Sequence, residues 1–262
     1  MSAKSLRELL AGIADVAGDI RVSGLTLDSR RVRAGDAFIA LRGASAHGIT
    51  FAPAALAQGA SAMIAEGPAS VAFENTDLPV VWVDNLRKRV GEIAARFYDR
   101  PSASLHVIGV TGTNGKTSIV QLLAAALETL GARAATIGTL GAGLVGAIAA
   151  GERTTPDAIS VHGLLAQFRD AGASHVAMEV SSHALDQDRV NAVDFEVAVF
   201  TNLTRDHLDY HGTMQAYGAA KEKLFAWPGL RSAVVNADDA FGRELSARLP
   251  ANVQRLRYAM DA

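Results

Sequence analysis

Apolar positions recur along this chain in two rhythms, and the order in which they alternate predicts the architecture. In "LPVVWVDNLRKRVGEIAARF" a short run of Val80, Val81 and Val83 is followed by Val90, Ile93, Ala94 and Phe97, which step by three and four. That reads as a strand followed by an amphipathic helix. "FAPAALAQGASAMIAE" reads in the opposite order, and "GLTLDSRRVRAGDAFIALRG" as two short β-like runs around a turn. Together they describe a small α/β unit over residues 1–103. "YDRPSAS" at 98–104, with Pro101 and its serines, reads as the linker that follows.

From Leu105 onward, strand-like runs at 105–110, 132–137, 175–180, 195–201 and 232–236 alternate with helical stripes. One stripe is Ile119, Leu122, Leu123, Ala126, Leu127 and Leu130, and another is Val161, Leu164, Leu165 and Phe168. Such alternation argues for a mostly parallel sheet with helices on both faces. The fold class is therefore α/β, a small α/β N-terminal domain followed by a second domain over 104–262.

With 262 residues and 49% of them hydrophobic, the chain can bury one large core or two ordinary ones. A formal net charge of −2 without blocks of like charge gives no reason to expect nucleic acid or an anionic membrane, and small molecules are the expected partners. The absence of cysteine excludes disulfides and thiolate metal sites, which leaves oxygen and imidazole ligands for any metal. "MSAKSLRELLAGIADVAG" carries charges inside its apolar pattern and is not a signal peptide. The run "LGAGLVGAIAAG" is glycine-broken and too short to span a bilayer. A cytoplasmic monomer is the expectation.

The chemistry begins at "HVIGVTGTNGKTSIVQLLAAALETLG", where an apolar strand passes through a glycine turn into a helix. Such a junction aims backbone N–H groups and a helix dipole at one spot, which suits an anion. Gly112, Thr113, Asn114, Gly115, Lys116, Thr117 and Ser118 form this phosphate loop, with Lys116 as a point charge for phosphate and the Thr117 hydroxyl for Mg²⁺. The strict Walker spacing would put glycine at 110, where Val110 stands beside Gly109. That departure points to a subclass.

Glu179, at the carboxyl end of the strand in "HVAMEVSSHALDQDRV", is placed to hold Mg²⁺ opposite Thr117. "VFTNLTRDHLDYHG" concentrates Asp206, His207, Asp209 and His211 after another strand, and so at the same edge of the sheet. On residue type alone His207 is more readily a loop histidine than a ligand of so hard an ion. Lys221, on a helix beginning near Thr213, is by periodicity alone a solvated lysine.

Taken together, "GVTGTNGKT", "MEVSSHAL", "FTNLTRDHLDYHGTMQAYGAAKEKLF" and "VVNADD" resemble the Mur ligase family of ATP-dependent amide-forming enzymes in peptidoglycan synthesis. The branch most resembled adds the third residue of the stem peptide. "LTLDSRRVRAGDAFIALRG" is similar to the UDP-binding amino-terminal domain of that branch, so the likeness extends across the chain. It implies that residues 104–262 are the central ATP-binding domain, and that Leu27 and Ser29, with Ala44, Ser45 and Ala46 beside them, contact the UDP part of the substrate. Thr154, Thr155, Ser181, Gln187 and Arg189 would hold the muramoyl-peptide end. Lys221 would be carbamylated and, with His207, would serve a second Mg²⁺, with Lys116, Lys221 and His207 as the catalytic set.

The implied reaction activates the γ-carboxylate of UDP-N-acetylmuramoyl-L-alanyl-D-glutamate with ATP, giving an acyl phosphate. The amine of a diamino acid then displaces phosphate; meso-diaminopimelate and L-lysine are the candidates, and the first is favoured. The family's third domain would follow "VVNADD", and its absence leads us to expect a chain that binds the UDP substrate but turns over poorly alone. A folylpolyglutamate synthase shares the phosphate loop, but the residues before Leu105 and the "TLDSR" stretch count against it. A regulatory GTPase would need an N-K-x-D motif, which the chain lacks.

Overall fold

The computed structural model describes residues 3–43, 46–69 and 78–260, and its contacts divide the chain into two compact units, Met1–Asp99 and Arg100–Ala262. In the first, β1 (Lys4–Ser5) leads into α1 (Leu6–Leu9) and pairs antiparallel with β2 (Arg21–Val22). Next come β3 (Gly24–Thr26), β4 (Asp36–Ala40), α2 (Ala52–Ala57), β5 (Ala62–Glu66), β6 (Val80–Val83) and α3 (Leu86–Phe97). Strands β3 to β6 form one parallel sheet in chain order, with Gly24 opposite Asp36 and Ala37 opposite Ala62. The two β-like runs around "DSRR" thus lie parallel, joined by a 3₁₀ turn at Ser29–Arg31 that Asp28 caps through the Arg30 N–H. The stripe Val90, Ile93, Ala94 and Phe97 is buried, as its period requires.

The second unit contains β7 (His106–Thr111), α4 (Lys116–Thr129), β8 (Ala134–Gly138), β9 (Gly141–Leu144), β10 (Ala147–Ala149), α5 (Ala158–Asp170), β11 (His175–Glu179) and α6 (Ser182–Asp186). It continues with β12 (Phe195–Phe200), α7 (Leu208–His211), α8 (Met214–Glu222), β13 (Ser232–Asn236), α9 (Ala240–Arg248) and β14 (Gln254–Tyr258). The sheet order is β10-β9-β8-β11-β7-β12-β13-β14, parallel from β8 to β14, with β9 and β10 antiparallel at one edge. One core cluster joins Val107, Val176, Met178, Phe195, Ala198 and Phe200 to Leu165 and Phe168 of α5 and Leu245 of α9. Because β7 sits between β11 and β12, the segments leaving all three strands meet at one edge of the sheet.

Three expectations need correction. Helix α4 faces the sheet through Val120 and Ala124, flanked by the partly buried Ile119 and Leu123, whereas Leu122 is 69% and Leu130 83% exposed. Apolar residues surround this helix, so several stripes fit its sequence, and the contact with Val110 and Ala177 selects the one containing Val120. The apolar run 139–150, noted only as too short for a membrane span, is the β9–β10 hairpin, turning at Val145 and Gly146 with Gly146 at φ 83°. The supposed linker is structured: Pro101–Ser104 is a 3₁₀ turn in which buried Ser102 donates to Asp194 Oδ2 (2.9 Å) and accepts its backbone N–H (3.1 Å). No helix among the described residues is long and apolar enough to cross a membrane.

Candidate functional site

The phosphate loop leaves β7 at Thr111, and two glycines shape it. Gly112 has φ 145°, and a Cβ there would overlap Thr201; Gly115, at φ 83°, is the residue from which α4 starts. Both positions need the freedom that only glycine has without strain. The loop is bolted to the segment that follows β12. Thr113 N–H donates to Asn202 O (2.8 Å), Asn114 N–H to Asn202 Oδ1 (3.0 Å), and Thr201 Oγ1 to Asn114 O (2.6 Å). Asn236, at the end of β13, donates to Thr201 O (2.8 Å) and so supports the support. Ser118 is exposed in the first turn of α4.

Lys116 Nζ donates to Gly112 O (2.9 Å) and Thr113 O (2.8 Å), and Lys221 Nζ donates to the same Gly112 O at 2.9 Å. Lys221 is not the solvated lysine of its helical pattern: it is 1% exposed, and its ammonium stands 4.3 Å from the Tyr217 ring centroid. Lys223, two residues on and across the helix, instead pairs with Asp186 at 3.0 Å. Burial, with the Lys116 charge second and Asp206 opposing, pulls the Lys221 pKa from 10.5 to about 7. Burial also lowers the Lys116 pKa, against Glu179 and Asp206.

Glu179 is the pivot on the other side. It is 1% exposed at the end of β11, and its Oε1 accepts from the Thr117 hydroxyl (2.9 Å) and from Thr139 N–H (2.8 Å). The threonine that begins the P-loop helix and the strand-end acid therefore do meet. With its proton directed at Glu179, Thr117 keeps its lone pairs for a cation, so this pair of hard oxygens suits Mg²⁺, which takes its other ligands from phosphate and water. Among the described residues no group of three or more His, Cys, Asp or Glu side chains is placed to hold a metal.

His207 sits elsewhere. At φ 49° it opens α7, its ring packs 4.8 Å from His183 and 5.9 Å from Tyr217, and its Nε2 is 3.6 Å from Asp206. Tyr217 thus touches both His207 and Lys221, and its hydroxyl reaches Thr113 Oγ1 at 3.2 Å. Burial first, then the neighbouring His207 and His211, holds the His183 imidazole below its ordinary pKa.

The threonines and Arg189 cluster around the backbone of Glu179. Buried Thr155 donates to Glu179 O (2.8 Å) and accepts from Ser181 N–H (3.1 Å), and Ser181 caps α6 by accepting from Ala184 N–H (3.2 Å). Arg189 donates through Nε to Gln187 Oε1 (3.1 Å) and through Nη1 to Thr155 O (3.1 Å). Thr154 lies 3.0 Å from Thr139 Oγ1. In the first unit, Ser29 is buried in its 3₁₀ turn, Leu27 is half-buried and Ala46 is exposed, while Ala44 and Ser45 lie outside the described residues.

Sequence reasoning missed Thr139, Thr201, Asn202, Tyr217 and Asn236. The available signal was positional: four of them are polar residues just where an apolar strand run ends, at the edge where ligands of such sheets bind.

The profile described as the Mur ligase middle domain matches residues 110–262, and that described as the Mur ligase family, catalytic domain, matches residues 21–98. The UDP-N-acetylmuramoyl-L-alanyl-D-glutamate--2,6-diaminopimelate ligase of Xanthomonas campestris pv. campestris (strain 8004) is 60% identical over 251 residues, 94% of this chain and 50% of the relative. A solved structure of a ligase of the same name aligns with TM-score 0.85 at 36% identity, over 100% of this chain and 53% of its own. The MurF ligase of Thermotoga maritima, solved in complex with ADP, shares the fold with TM-score 0.61 at 22% identity, over 91% of this chain and 51% of its own. The chain spans about half the length of the curated relatives it matches.

Proposed function

The chain belongs to the Mur ligase family, and from that premise we propose that it serves an ATP-dependent ligase that joins 2,6-diaminopimelate to UDP-N-acetylmuramoyl-L-alanyl-D-glutamate. Residues 1–103 are the UDP-binding domain and 104–262 the central ATP-binding domain in this reading. The observation that carries it is the position of Glu179. Its carboxylate joins Thr117 of the phosphate loop, and its backbone carbonyl joins Thr155, which in turn holds Arg189 and Ser181. One strand end therefore serves a nucleotide and a second, carboxylate-bearing substrate side by side.

The chemistry follows from that adjacency. An oxygen of the substrate γ-carboxylate attacks the γ-phosphorus of ATP, the bond to the bridging oxygen breaks, and ADP leaves. The amine of the diamino acid then attacks the acyl carbon, phosphate departs with the electron pair, and the amine loses a proton. The first step brings two anions together, so it depends on cationic screening of the γ-phosphate oxygens. Lys116 provides it by turning from the Gly112 and Thr113 carbonyls to phosphate, an exchange favoured because charge-assisted bonds to an anion are the stronger ones. Thr117 and Glu179 would hold Mg²⁺, which would supply further charge neutralisation and an in-line template.

His207 and Lys221 would serve a second Mg²⁺. As an ammonium Lys221 is no metal ligand, but with a pKa near 7 a large part of it is free amine at neutral pH. The amine nitrogen adds to the carbon of CO₂ and releases its proton to solvent, leaving a carbamate with two oxygen donors. Arg189, with Thr154 and Gln187, orients the muramoyl-peptide end, and Leu27, Ser29 and the 44–46 loop hold the uridine diphosphate.

Calorimetry on the 262-residue chain tests the reading, with UDP-N-acetylmuramoyl-L-alanyl-D-glutamate titrated against UDP-N-acetylglucosamine. Selective binding of the muramoyl dipeptide is expected. Equal affinity for the two, or no binding to a folded sample, overturns the substrate assignment.

A further inference from the structure

Thr139 is the first residue after β8, in none of the motifs by which the chain resembles its family, and it makes three polar contacts within one small volume. Its backbone N–H donates to Glu179 Oε1 (2.8 Å), its hydroxyl donates to Glu179 Oε2 (3.3 Å), and the same hydroxyl lies 3.0 Å from Thr154 Oγ1. The strand pairing builds this approach, since Ile137 of β8 faces Met178 of β11 and so sets the two strand ends side by side. Gly138 leaves the room: a Cβ there would overlap the Glu179 carboxylate.

Hydrogen-bond directions follow from counting protons. A carboxylate only accepts, and a threonine hydroxyl has one proton. Once Thr139 gives its proton to Glu179, the bond to Thr154 exists only if Thr154 is the donor. The order is therefore Thr154 to Thr139 to Glu179, and Thr117 donates to the same carboxylate from the other side.

We propose that Thr139 is a positioning residue that ties the nucleotide side of the site to the peptide side, by holding Glu179 for the cation-bearing nucleotide and by fixing Thr154 as a pure acceptor toward the second substrate. This rests on the ligase reading above. It adds a residue to the site and a chemical preference: with its own proton committed, Thr154 offers a ligand only lone pairs. It selects an N–H or O–H donor, such as a peptide amide of the muramoyl dipeptide, and rejects an acceptor placed there.

The test compares Thr139→Val, which keeps the branched shape and the backbone N–H but removes the hydroxyl, with Thr139→Ser, which restores it. Calorimetry on the folded chain measures two affinities, for a non-hydrolysable ATP analogue with Mg²⁺ and for UDP-N-acetylmuramoyl-L-alanyl-D-glutamate. Losing one such hydrogen bond corresponds to roughly three- to tenfold weaker binding. That loss is expected for both ligands in the valine variant, with the serine variant returning to within about twofold of wild type. Unchanged binding by the valine variant, loss for one ligand only, or equal loss in both variants overturns the proposal while leaving the ligase reading standing. Failure of the wild-type chain to bind either ligand overturns that reading, and this proposal with it.

Discussion

Replacing Lys221 with methionine should make the protein more stable while removing part of its machinery, and the size of the gain can be worked from the structure. The ammonium is fully buried, and its pKa falls from 10.5 to about 7. At about 1.4 kcal/mol per unit, that is about 5 kcal/mol by which the fold disfavours the charged form. The Tyr217 ring works the other way through a cation–π contact of about 1–2 kcal/mol, and burial outweighs it. Below pH 7 both folded and unfolded chains carry the proton and the whole penalty is present. Between about 7 and 10.5 the unfolded chain still binds the proton and the folded one does not, so wild-type stability rises with pH. Methionine removes the penalty at every pH and loses the hydrogen bond to Gly112 O, worth about 1 kcal/mol. Lys221→Met should therefore exceed wild type by about 4 kcal/mol at pH 6, and that margin should shrink by about 3 kcal/mol at pH 9. Urea unfolding of both chains at the two pH values, in buffer freed of CO₂ so that the amine stays unmodified, measures the margin. Lys116 titrates in the same sense and cancels in the difference. A margin that is independent of pH, or a variant less stable than wild type at pH 6, refutes the argument that a desolvated cation sits at this position.

Two further substitutions separate the halves of the site. Gly138→Ala places a Cβ on the Glu179 carboxylate and must push it from Thr117; Mg²⁺-dependent binding of the ATP analogue should weaken about tenfold or more, and retention of wild-type affinity in a calorimetric titration would contradict the placement. Arg189→Lys keeps the charge but loses the fork that spans Gln187 and Thr155. Affinity for UDP-N-acetylmuramoyl-L-alanyl-D-glutamate should fall about tenfold with nucleotide affinity unchanged, and parallel losses in both titrations would speak against a substrate-side role.

What the sequence reveals of this fold depends on how local each signal is. Buried parallel strands leave continuous apolar runs, so β7, β8, β11, β12 and β13 all lie within two residues of where the pattern puts them. The phosphate loop is equally local, because glycines, lysine and threonine fall within seven consecutive residues. Lys221 is the opposite case. Nothing in "AAKEKLF" distinguishes it from Lys223, and it is buried only because α8 packs beside α6 and α7 with Tyr217 and Lys221 turned inward. Thr139 is harder still, since it lies 40 residues from Glu179 and meets it only through the pairing of β8 with β11, which no short pattern encodes.

The two lysines explain why the site should accept a polyphosphate and a modified side chain together. Both donate to the Gly112 carbonyl, a neutral acceptor that cannot offset two ammonium charges, and Glu179 and Asp206 are the opposing carboxylates. A triphosphate brings at least three negative charges to this spot, and Lys116 can turn to it without leaving the loop. Mg²⁺ brings positive charge back, and a protonated Lys221 beside it would be a third cation in a desolvated volume. Carbamylation resolves that conflict by changing the sign of the side chain, and the depressed pKa is the physical condition that lets it occur near neutral pH. The same burial that makes Lys221 costly as a cation thus makes it chemically available as an amine, which is why the methionine variant should gain stability and lose the second metal position in a single change.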